Sequence, residues 1–299
     1  MKKVAPYDKV ENINLISGGL LPVNYHCRCK FCQQYLGLLA RSDGSFYKRT
    51  DRRKYYSKSE LASAENCTGH LAKTPLHVAR WAIQTYSSPG DWVLDPTAGA
   101  GTTLVEASNH ARHSVGIELL FGDIARANLK ANNDGGLSIV VDGDVREFKS
   151  HLLKIKRKSF DLVVNNPPYF GDQSPATDKE RSLSRKTSFK YPKDSRNLAF
   201  LKEGAPYQTA LHLIYLECAE VLRPGGRFVV AVKDQIRQKM PDNLHEKIGN
   251  ILLSCDLNYV GLALLPHFPR TLFMNTYPKR FPQVRIPLYQ SILVFEKLK

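Results

Sequence analysis

A tetrapeptide of unusual composition, Asn166-Pro167-Pro168-Tyr169, directly follows the apolar run at residues 160–164 and is a candidate for substrate chemistry. Two consecutive prolines fix the backbone and remove two N–H donors, so the carbonyl groups of a rigid turn are left to face a ligand. Asn166 offers a side-chain carbonyl acceptor and Tyr169 a flat ring for stacking. The combination indicates a site for a planar substrate that carries an amino group.

A glycine-rich segment at residues 95–103 follows an earlier apolar run, residues 92–95. Glycines allow positive φ angles and close approach of a ligand, and open α/β sheets bind nucleotides at the carboxyl end of the first strand. Glu118 ends the next apolar run, where an acid can accept hydrogen bonds from ribose hydroxyls. No P-loop Gly-Lys-Ser/Thr follows. The pattern predicts a nucleoside cofactor bound by Asp95, Pro96, Thr97, Ala98, Gly99, Gly101, Thr102, Thr103 and Glu118.

Four of the six cysteines fall within the first 70 residues: Cys27, Cys29, Cys32 and Cys67. Four thiolates with this spacing predict a closed zinc site that supplies a core to a segment of weak periodicity. His26 and His70 are alternative ligands. Ordinary reduced thiols packed in an N-terminal segment are the other interpretation.

The alternation of apolar runs with amphipathic stretches from about residue 75 predicts the scaffold that positions these motifs. Helices are expected at residues 102–110, 124–132, 145–154, 207–222 and 244–254. Strands are expected at residues 92–95, 115–118, 137–141, 160–164, 227–232, 259–264 and 291–296. This order predicts an α/β fold, a doubly wound, mostly parallel seven-stranded sheet that brings both motifs to one edge.

Three segments interrupt the alternation. Residues 1–67 form a separate N-terminal segment without strong periodicity, and its stretch 42–58 mixes basic and aromatic residues that suit backbone contact and stacking. Residues 68–299 form the main domain, with basic insertions at 170–206 and 265–287 that are too polar to join the core. We expect these insertions to contact substrate through Arg185, Lys186, Arg270 and Arg280.

Taken together, the motifs resemble those of the S-adenosylmethionine-dependent amino-methyltransferases, the DNA adenine-N6 and cytosine-N4 methylases of the Asn-Pro-Pro-Tyr type. A third match is the segment around His70, followed by Pro89-Gly90-Asp91, and the resemblance covers roughly residues 68–299. It implies S-adenosylmethionine as cofactor, with Glu118 on the ribose, Asp144 and Val145 at the cofactor adenine, and His70 in the same site.

The resemblance also implies a mechanism. Asn166 and the Pro167 carbonyl would accept the two N–H groups of an exocyclic amine, Tyr169 would stack on the base, and a base in a duplex would have to be flipped out. Asn166 resembles the adenine-N6 enzymes, whereas Phe170-Gly171-Asp172 and the Pro-Gly-Asp lead-in are more similar to the Ser/Asp-Pro-Pro-Tyr enzymes, so both bases stay open.

The composition favours a nucleic-acid partner. Lysine and arginine total 43 against 28 acids, a formal net charge of +15, and such an excess suits a polyanion. DNA is favoured, with a place in restriction–modification. An RNA methylase acting on adenine N6, guanine N2 or cytosine N4 is the alternative, followed by a protein glutamine methylase and a catalytically silent binding subunit. The sequence offers neither a membrane-length apolar run nor a secretory leader, so we expect a cytoplasmic protein.

Overall fold

A mixed β-sheet forms the centre of the molecule in the computed structural model. The structure describes residues 14–16, 27, 29–40, 74–132, 135–155, 157–169, 194–201, 204–237, 239–266, 279, 282 and 287–298. Over those residues, no helix has the length and apolar character needed to cross a membrane.

The strands of the large sheet are β1 Asn14–Ile16, β2 Tyr35–Ala40, β3 Trp92–Asp95, β4 His113–Glu118, β5 Ser138–Asp142, β6 Phe160–Asn165, β7 Leu222–Val232, β10 Leu257–Pro266 and β11 Tyr289–Lys297. A separate two-stranded sheet pairs β8 Ile236–Arg237 with β9 Met240–Pro241. The helices are α1 Leu76–Tyr86, α2 Thr102–Asn109, α3 Gly122–Asn132, α4 Phe148–Ile155, α5 Ala205–Val221 and α6 Leu244–Leu253.

The strand order of the large sheet is β1-β2-β10-β11-β7-β6-β3-β4-β5. The pairs β3–β4, β4–β5, β3–β6 and β6–β7 are parallel, whereas β11 is antiparallel to both of its neighbours. The predicted doubly wound, mostly parallel sheet is therefore confirmed. The order reverses between β3 and β6, and open α/β sheets bind ligands at such a switch point.

Alternating side chains bury both faces of the sheet. Leu94, Val163 and Leu293 lie in one hydrophobic cluster with α4, α5 and α6. Their sequence neighbours Val93, Leu162 and Ile292 lie in a second cluster with α1. Because successive strand residues point to opposite faces and both faces are covered, apolar residues occupy consecutive positions in these strands.

The N-terminal residues contribute two strands that sequence periodicity did not predict. β2 pairs in parallel with β10, and β1 pairs antiparallel with β2. The seven predicted strands are thus extended to nine within the described parts of the chain. The helix expected at residues 145–154 instead starts as a 3-10 turn, Val145–Glu147, before α4.

Candidate cofactor and substrate cleft

The glycine-rich segment forms the turn between β3 and α2. Gly99 and Gly101 adopt positive φ angles of 54° and 79°, which glycine reaches without the steric penalty of a Cβ atom. A Cβ on Gly101 would also lie 3.0 Å from the Cβ of Ala125 on α3. The turn therefore packs closely against α3 and leaves its backbone facing the cleft.

Glu118 is held at the end of β4 by backbone N–H groups. Its Oε2 accepts a hydrogen bond from Gly99 at 2.7 Å, and its Oε1 accepts bonds from Leu120 at 2.9 Å and Phe121 at 3.2 Å. Burial raises the pKa of Glu118, and these backbone donors partly oppose that rise. Glu118 also lines the cleft, where a ligand hydroxyl can share the carboxylate with these backbone donors.

Asp144 follows β5 and lies in an ion pair. Its carboxylate accepts hydrogen bonds from the Arg146 backbone N–H at 3.0 Å and from Arg146 Nη2 at 2.6 Å. Val145 beside it is 6% exposed. Both residues line the cleft, and any amine that binds Asp144 must share it with Arg146.

The residues of the Asn-Pro-Pro-Tyr turn line the cleft directly after β6. The Lys233 backbone N–H donates to Tyr169 Oη at 3.0 Å, and Tyr207 Oη donates to the Pro168 carbonyl at 2.9 Å. Burial raises the pKa of Tyr207, so its hydroxyl stays protonated and donates. Gln290 Nε2 lies 3.5 Å from Asn166 Oδ1. The turn is thus fixed from both the β7 and the α5 side.

The neighbouring Asn165 has a different environment from Asn166. It is 1% exposed, its Nδ2 donates to Thr97 Oγ1 at 2.8 Å, and its Oδ1 accepts from Tyr215 Oη at 2.9 Å. Burial raises the pKa of Tyr215 well above its usual value, which keeps that hydroxyl a donor. Asn165 therefore connects the end of β6 to the glycine-rich segment through a buried hydrogen bond, while Asn166 lines the cleft.

One cleft, partly open to solvent, unites these groups. Residues 96–100, 117–121, 143–145, 166–169 and 196–199 line it together with Thr74. Phe121, Val145 and Leu198 give it buried apolar walls, and Glu118 gives it a carboxylate. An apolar slot beside a fixed carboxylate acceptor fits a nucleoside whose ribose hydroxyls need an acceptor.

Several residues predicted for the cofactor site lie behind its wall. Asp95 is 1% exposed and its Oδ1 accepts the Thr97 N–H at 3.2 Å. Burial raises the pKa of Asp95 to about 6. Thr102 and Thr103 are buried at the start of α2, next to Gly101. Asp95, Gly101, Thr102 and Thr103 therefore shape the turn and do not line the cleft.

Residues 194–201, the end of the insertion 170–206, also reach the cleft. The expectation that this insertion is too polar for the core is wrong at Leu198, which is 4% exposed and packs in a main cluster. A short 3-10 turn, Leu198–Phe200, buries it, with Asn197 Oδ1 accepting the Ala199 N–H at 2.9 Å. A single apolar turn in a basic segment gives no periodic signal.

Six predicted site residues lie outside the described residues: His70, Cys67, Arg185, Lys186, Arg270 and Arg280. The basic stretch 42–58 lies outside them as well. Their roles stay predictions from the sequence.

Cys27, Cys29 and Cys32 are brought together at the N-terminal side of α6, where His245 joins them. Sequence reasoning missed His245, because no spacing rule connects a cysteine motif to a histidine more than 200 positions away. It also missed the supporting roles of Tyr207 and Tyr215, for which it predicted only a helix at residues 207–222.

The fold and the cleft define a doubly wound α/β protein with its site at the switch point between β3 and β6. Residues 39–121 match the model of a DNA methylase family that modifies N6 and N4 amino groups. Over 103 residues the chain is 32% identical to the Type II methyltransferase M.MthZI of Methanothermobacter thermautotrophicus, covering 34% of this chain and 28% of that protein. Together these confirm the chain's resemblance to the S-adenosylmethionine-dependent amino-methyltransferase family.

A second relative is the tRNA1(Val) (adenine(37)-N6)-methyltransferase of Porphyromonas gingivalis, 29% identical over 146 residues, 46% of this chain and 49% of that protein. The chain thus spans half or less of the length of the curated relatives it matches. Among solved structures, TrmN from Thermus thermophilus aligns with a TM-score of 0.44 and 16% identity, covering 80% of this chain and 53% of that one.

Proposed function

We propose that this chain transfers a methyl group from S-adenosylmethionine to an exocyclic amino group of a nucleobase in DNA, adenine N6 or cytosine N4. One observation carries the proposal: Glu118, the glycine-rich turn and the tetrapeptide Asn166–Tyr169 line the same cleft at the switch point of the sheet. The DNA methylase family match and the Type II relative support DNA as the substrate.

Glu118 and the glycine-rich turn would hold the cofactor. The ribose hydroxyls would donate to the Glu118 carboxylate, whose position three backbone N–H groups already fix. The adenine would lie between apolar walls that include Val145 and Leu198, with Asp144 at its amino group. When bound, S-adenosylmethionine supplies an electrophilic methyl group on its sulfonium.

Asn166 and Pro167 would activate the amine. The nitrogen lone pair of an exocyclic amine is delocalised into the ring, so the amine is a weak nucleophile. Hydrogen bonds from its two N–H groups to Asn166 Oδ1 and the Pro167 carbonyl favour a tetrahedral nitrogen and stabilise the positive charge that develops there. Gln290, 3.5 Å from Asn166 Oδ1, helps to set the orientation of that amide.

Tyr169 would fix the plane of the base. Its hydroxyl accepts the Lys233 N–H, so the ring is held at the cleft wall and can stack on the target base. A base inside a duplex cannot reach this cleft, so it must be flipped out of the helix. Alignment of the amine with the methyl group then supplies much of the rate acceleration.

A tRNA or another RNA is the second candidate substrate, because the Porphyromonas gingivalis relative matches a longer part of this chain. The chemistry in the cleft would be the same. The choice depends on the surfaces outside the cleft, where the net charge of +15 suits either polyanion.

One experiment tests the proposal and separates the substrates. The chain is incubated with radiolabelled S-adenosylmethionine and, in parallel, with DNA, total RNA or tRNA, and the nucleic acid is digested to identify the labelled nucleoside. Labelled N6-methyldeoxyadenosine or N4-methyldeoxycytidine supports the proposal. The corresponding labelled ribonucleosides support the RNA alternative.

Asn166→Ala is the catalytic control for this assay and should remove the label while cofactor affinity is kept. Asn258→Ala, an exposed asparagine on β10, is the matched control and should keep full activity. Label on neither nucleic acid, with cofactor binding intact, would contradict the proposal.

A further inference from the structure

The three N-terminal cysteines converge on a histidine from the far half of the chain. The Sγ atoms of Cys27, Cys29 and Cys32 lie 3.2, 3.5 and 3.8 Å from His245 Nε2. Cys29 Sγ lies 3.5 Å from Cys32 Sγ, and all four donor atoms fall within 4.8 Å of one another. His245 and Cys32 are buried, and Cys27 and Cys29 are half-buried.

Hydrogen bonding alone does not account for this cluster. His245 Nδ1 lies 2.7 and 2.9 Å from the two carboxylate oxygens of Asp234, which only accept when ionised, so Nδ1 carries the proton. Whichever protonation state the ring has, Nε2 offers either one lone pair or one N–H, which can serve one sulfur but not three. A carboxylate on the far nitrogen is the arrangement that orients metal-binding histidines.

We propose that Cys27, Cys29, Cys32 and His245 bind one zinc ion. A tetrahedral ion with zinc–sulfur bonds of about 2.3 Å and a zinc–nitrogen bond of about 2.0 Å separates its donors by about 3.5–3.8 Å. Four of the six donor separations in the cluster are 3.2–3.8 Å, and the other two, from Cys27 Sγ to the other sulfurs, are within 4.8 Å. Three soft thiolates and an imidazole select zinc over the hard cations.

This ligand set replaces Cys67 with His245 as the fourth donor and closes the coordination sphere. A closed site has no open position for water, so it is structural. It connects the segment around Cys29 and Cys32 to α6. Phe31 provides the second anchor of the segment, because its ring packs edge-on against Tyr259 with centroids 5.0 Å apart and its carbonyl accepts the Tyr259 hydroxyl.

The proposed site is also linked to the cleft through Lys233 and Tyr169. Asp234 follows Lys233, the residue whose backbone N–H donates to Tyr169 Oη, and Asp234 Oδ1 also accepts the His245 backbone N–H at 3.0 Å. Loss of the metal would free His245 and Asp234 and loosen the tether of Tyr169. The inference itself stands on the cluster and does not depend on the proposed methyl transfer.

Metal analysis of the full chain, purified without chelator and without a metal-affinity tag, tests the presence of the ion. We expect about one equivalent of zinc per chain. X-ray absorption at the zinc edge should show three sulfur neighbours at about 2.3 Å and one nitrogen at about 2.0 Å. Less than about a tenth of an equivalent, with the three thiols freely titratable in the folded protein, would overturn the proposal, and so would a shell of four sulfurs.

Variants test the ligand assignment. Cys67→Ser should keep one equivalent of zinc, and Cys255→Ser, a buried thiol elsewhere in the chain, should do the same. Cys29→Ser should lose the metal, and Asp234→Asn should weaken zinc affinity about 10–100-fold. Retention of zinc in His245→Gln together with its loss in Cys67→Ser would contradict the assignment.

Cobalt substitution of the wild-type chain gives a readout that needs no variant. Cobalt bound by three thiolates and an imidazole should show the intense visible bands of a tetrahedral ion and sulfur-to-metal charge transfer. A spectrum typical of six-coordinate cobalt would overturn the proposed geometry.

Discussion

The backbone N–H of Gly99 donates a hydrogen bond of 2.7 Å to Glu118 Oε2. This bond joins the turn after β3 to the end of β4, so the loop that faces the cleft and the acid beside it form one unit. A single substitution at Glu118 therefore acts on the ligand contact and on the shape of the turn, and the two effects can be measured separately.

Replacement of Glu118 by Gln should weaken binding of S-adenosylhomocysteine about 10–100-fold. The glutamine amide has one acceptor oxygen and no charge. A hydrogen bond to a charged group contributes about 1.5–3 kcal/mol, so the loss of one such bond accounts for this change in affinity. Calorimetric titration measures the affinity, and thermal unfolding without ligand measures the effect on the turn. The exposed Glu220→Gln is the control, and an unchanged affinity in Glu118→Gln would remove this residue from the site.

The affinity of the wild-type chain for S-adenosylhomocysteine should also fall as the pH falls. Because burial raises the pKa of Glu118, the carboxylate takes up a proton at a higher pH than an exposed glutamate and then donates instead of accepting. Titrations from neutral to acidic pH should show this loss in the wild type and a flatter profile in Glu118→Gln. Parallel profiles would assign the pH dependence to another group.

The two adjacent asparagines should give opposite results when each is replaced by Ala. Asn165→Ala leaves the buried Tyr215 hydroxyl and the half-buried Thr97 hydroxyl without this partner, and a stranded buried group costs about 1–3 kcal/mol of unfolding free energy. Asn166→Ala lies in the cleft and should keep nearly full stability while methyl transfer is lost. Urea unfolding and the nucleoside assay measure the two properties, and similar profiles for both variants would contradict this division.

The stability gained by replacing Asp95 with Asn should depend on pH. The folded-state pKa of Asp95 is about 6 because it is buried, above the value of about 3.9 in an unfolded chain. The native state therefore binds a proton that the unfolded state has lost between these values, and stability falls as the pH rises through that window. Above pH 6 the burial of the ionised Asp95 lowers the free energy of unfolding by about 3 kcal/mol.

Urea unfolding of Asp95→Asn and the wild type at a series of pH values measures this effect. The difference in unfolding free energy should grow in favour of Asn between pH 4 and pH 6 and then level off. Taking the difference removes the contributions of the other titrating groups. A difference that stays constant over this range would show that Asp95 does not titrate there.

A methyl group at Gly249 should destabilise the contact between α6 and the N-terminal segment. A Cβ there would lie 2.5 Å from the ring of Phe31, and overpacking of this kind costs about 1–3 kcal/mol. The higher helix propensity of alanine opposes it by about 1 kcal/mol. In a Phe31→Ala background the same substitution should become neutral or stabilising, whereas Asn250→Ala, exposed on the same helix, should have little effect in either background.

Local patterns were enough to predict the elements that position the cleft. The runs at residues 92–95 and 160–164 match β3 and β6 almost residue for residue, because buried parallel strands are continuous apolar runs between turn signals. The location of the glycine-rich turn and of the Asn-Pro-Pro-Tyr tetrapeptide could be predicted because each directly follows one of these strands. Their meeting in one cleft follows from the parallel order of the sheet.

Features that depend on distant parts of the chain could not be predicted in this way. β2 pairs with β10, the three cysteines meet His245, and Asn165 lies between Thr97 and Tyr215. None of these relationships has a fixed spacing in the sequence. The different roles of Asn165 and Asn166 likewise come from the alternation of a strand at its last residue, which only the pairing of β6 with its neighbours defines.

The pairing of β2 with β10 sets an order of events during synthesis of the chain. Tyr35 lies opposite Leu262 and Leu38 opposite Leu264. β2 is therefore synthesised early, but its partner β10 is synthesised near the end of the chain. Until residue 266 has been translated, β2 can pair with β1 but not with the large sheet, and its free edge can pair with strands of other chains. A ribosome-bound fragment that stops before residue 257 should therefore contain a folded β3–β7 region, and its β2 should lack the partner strand β10.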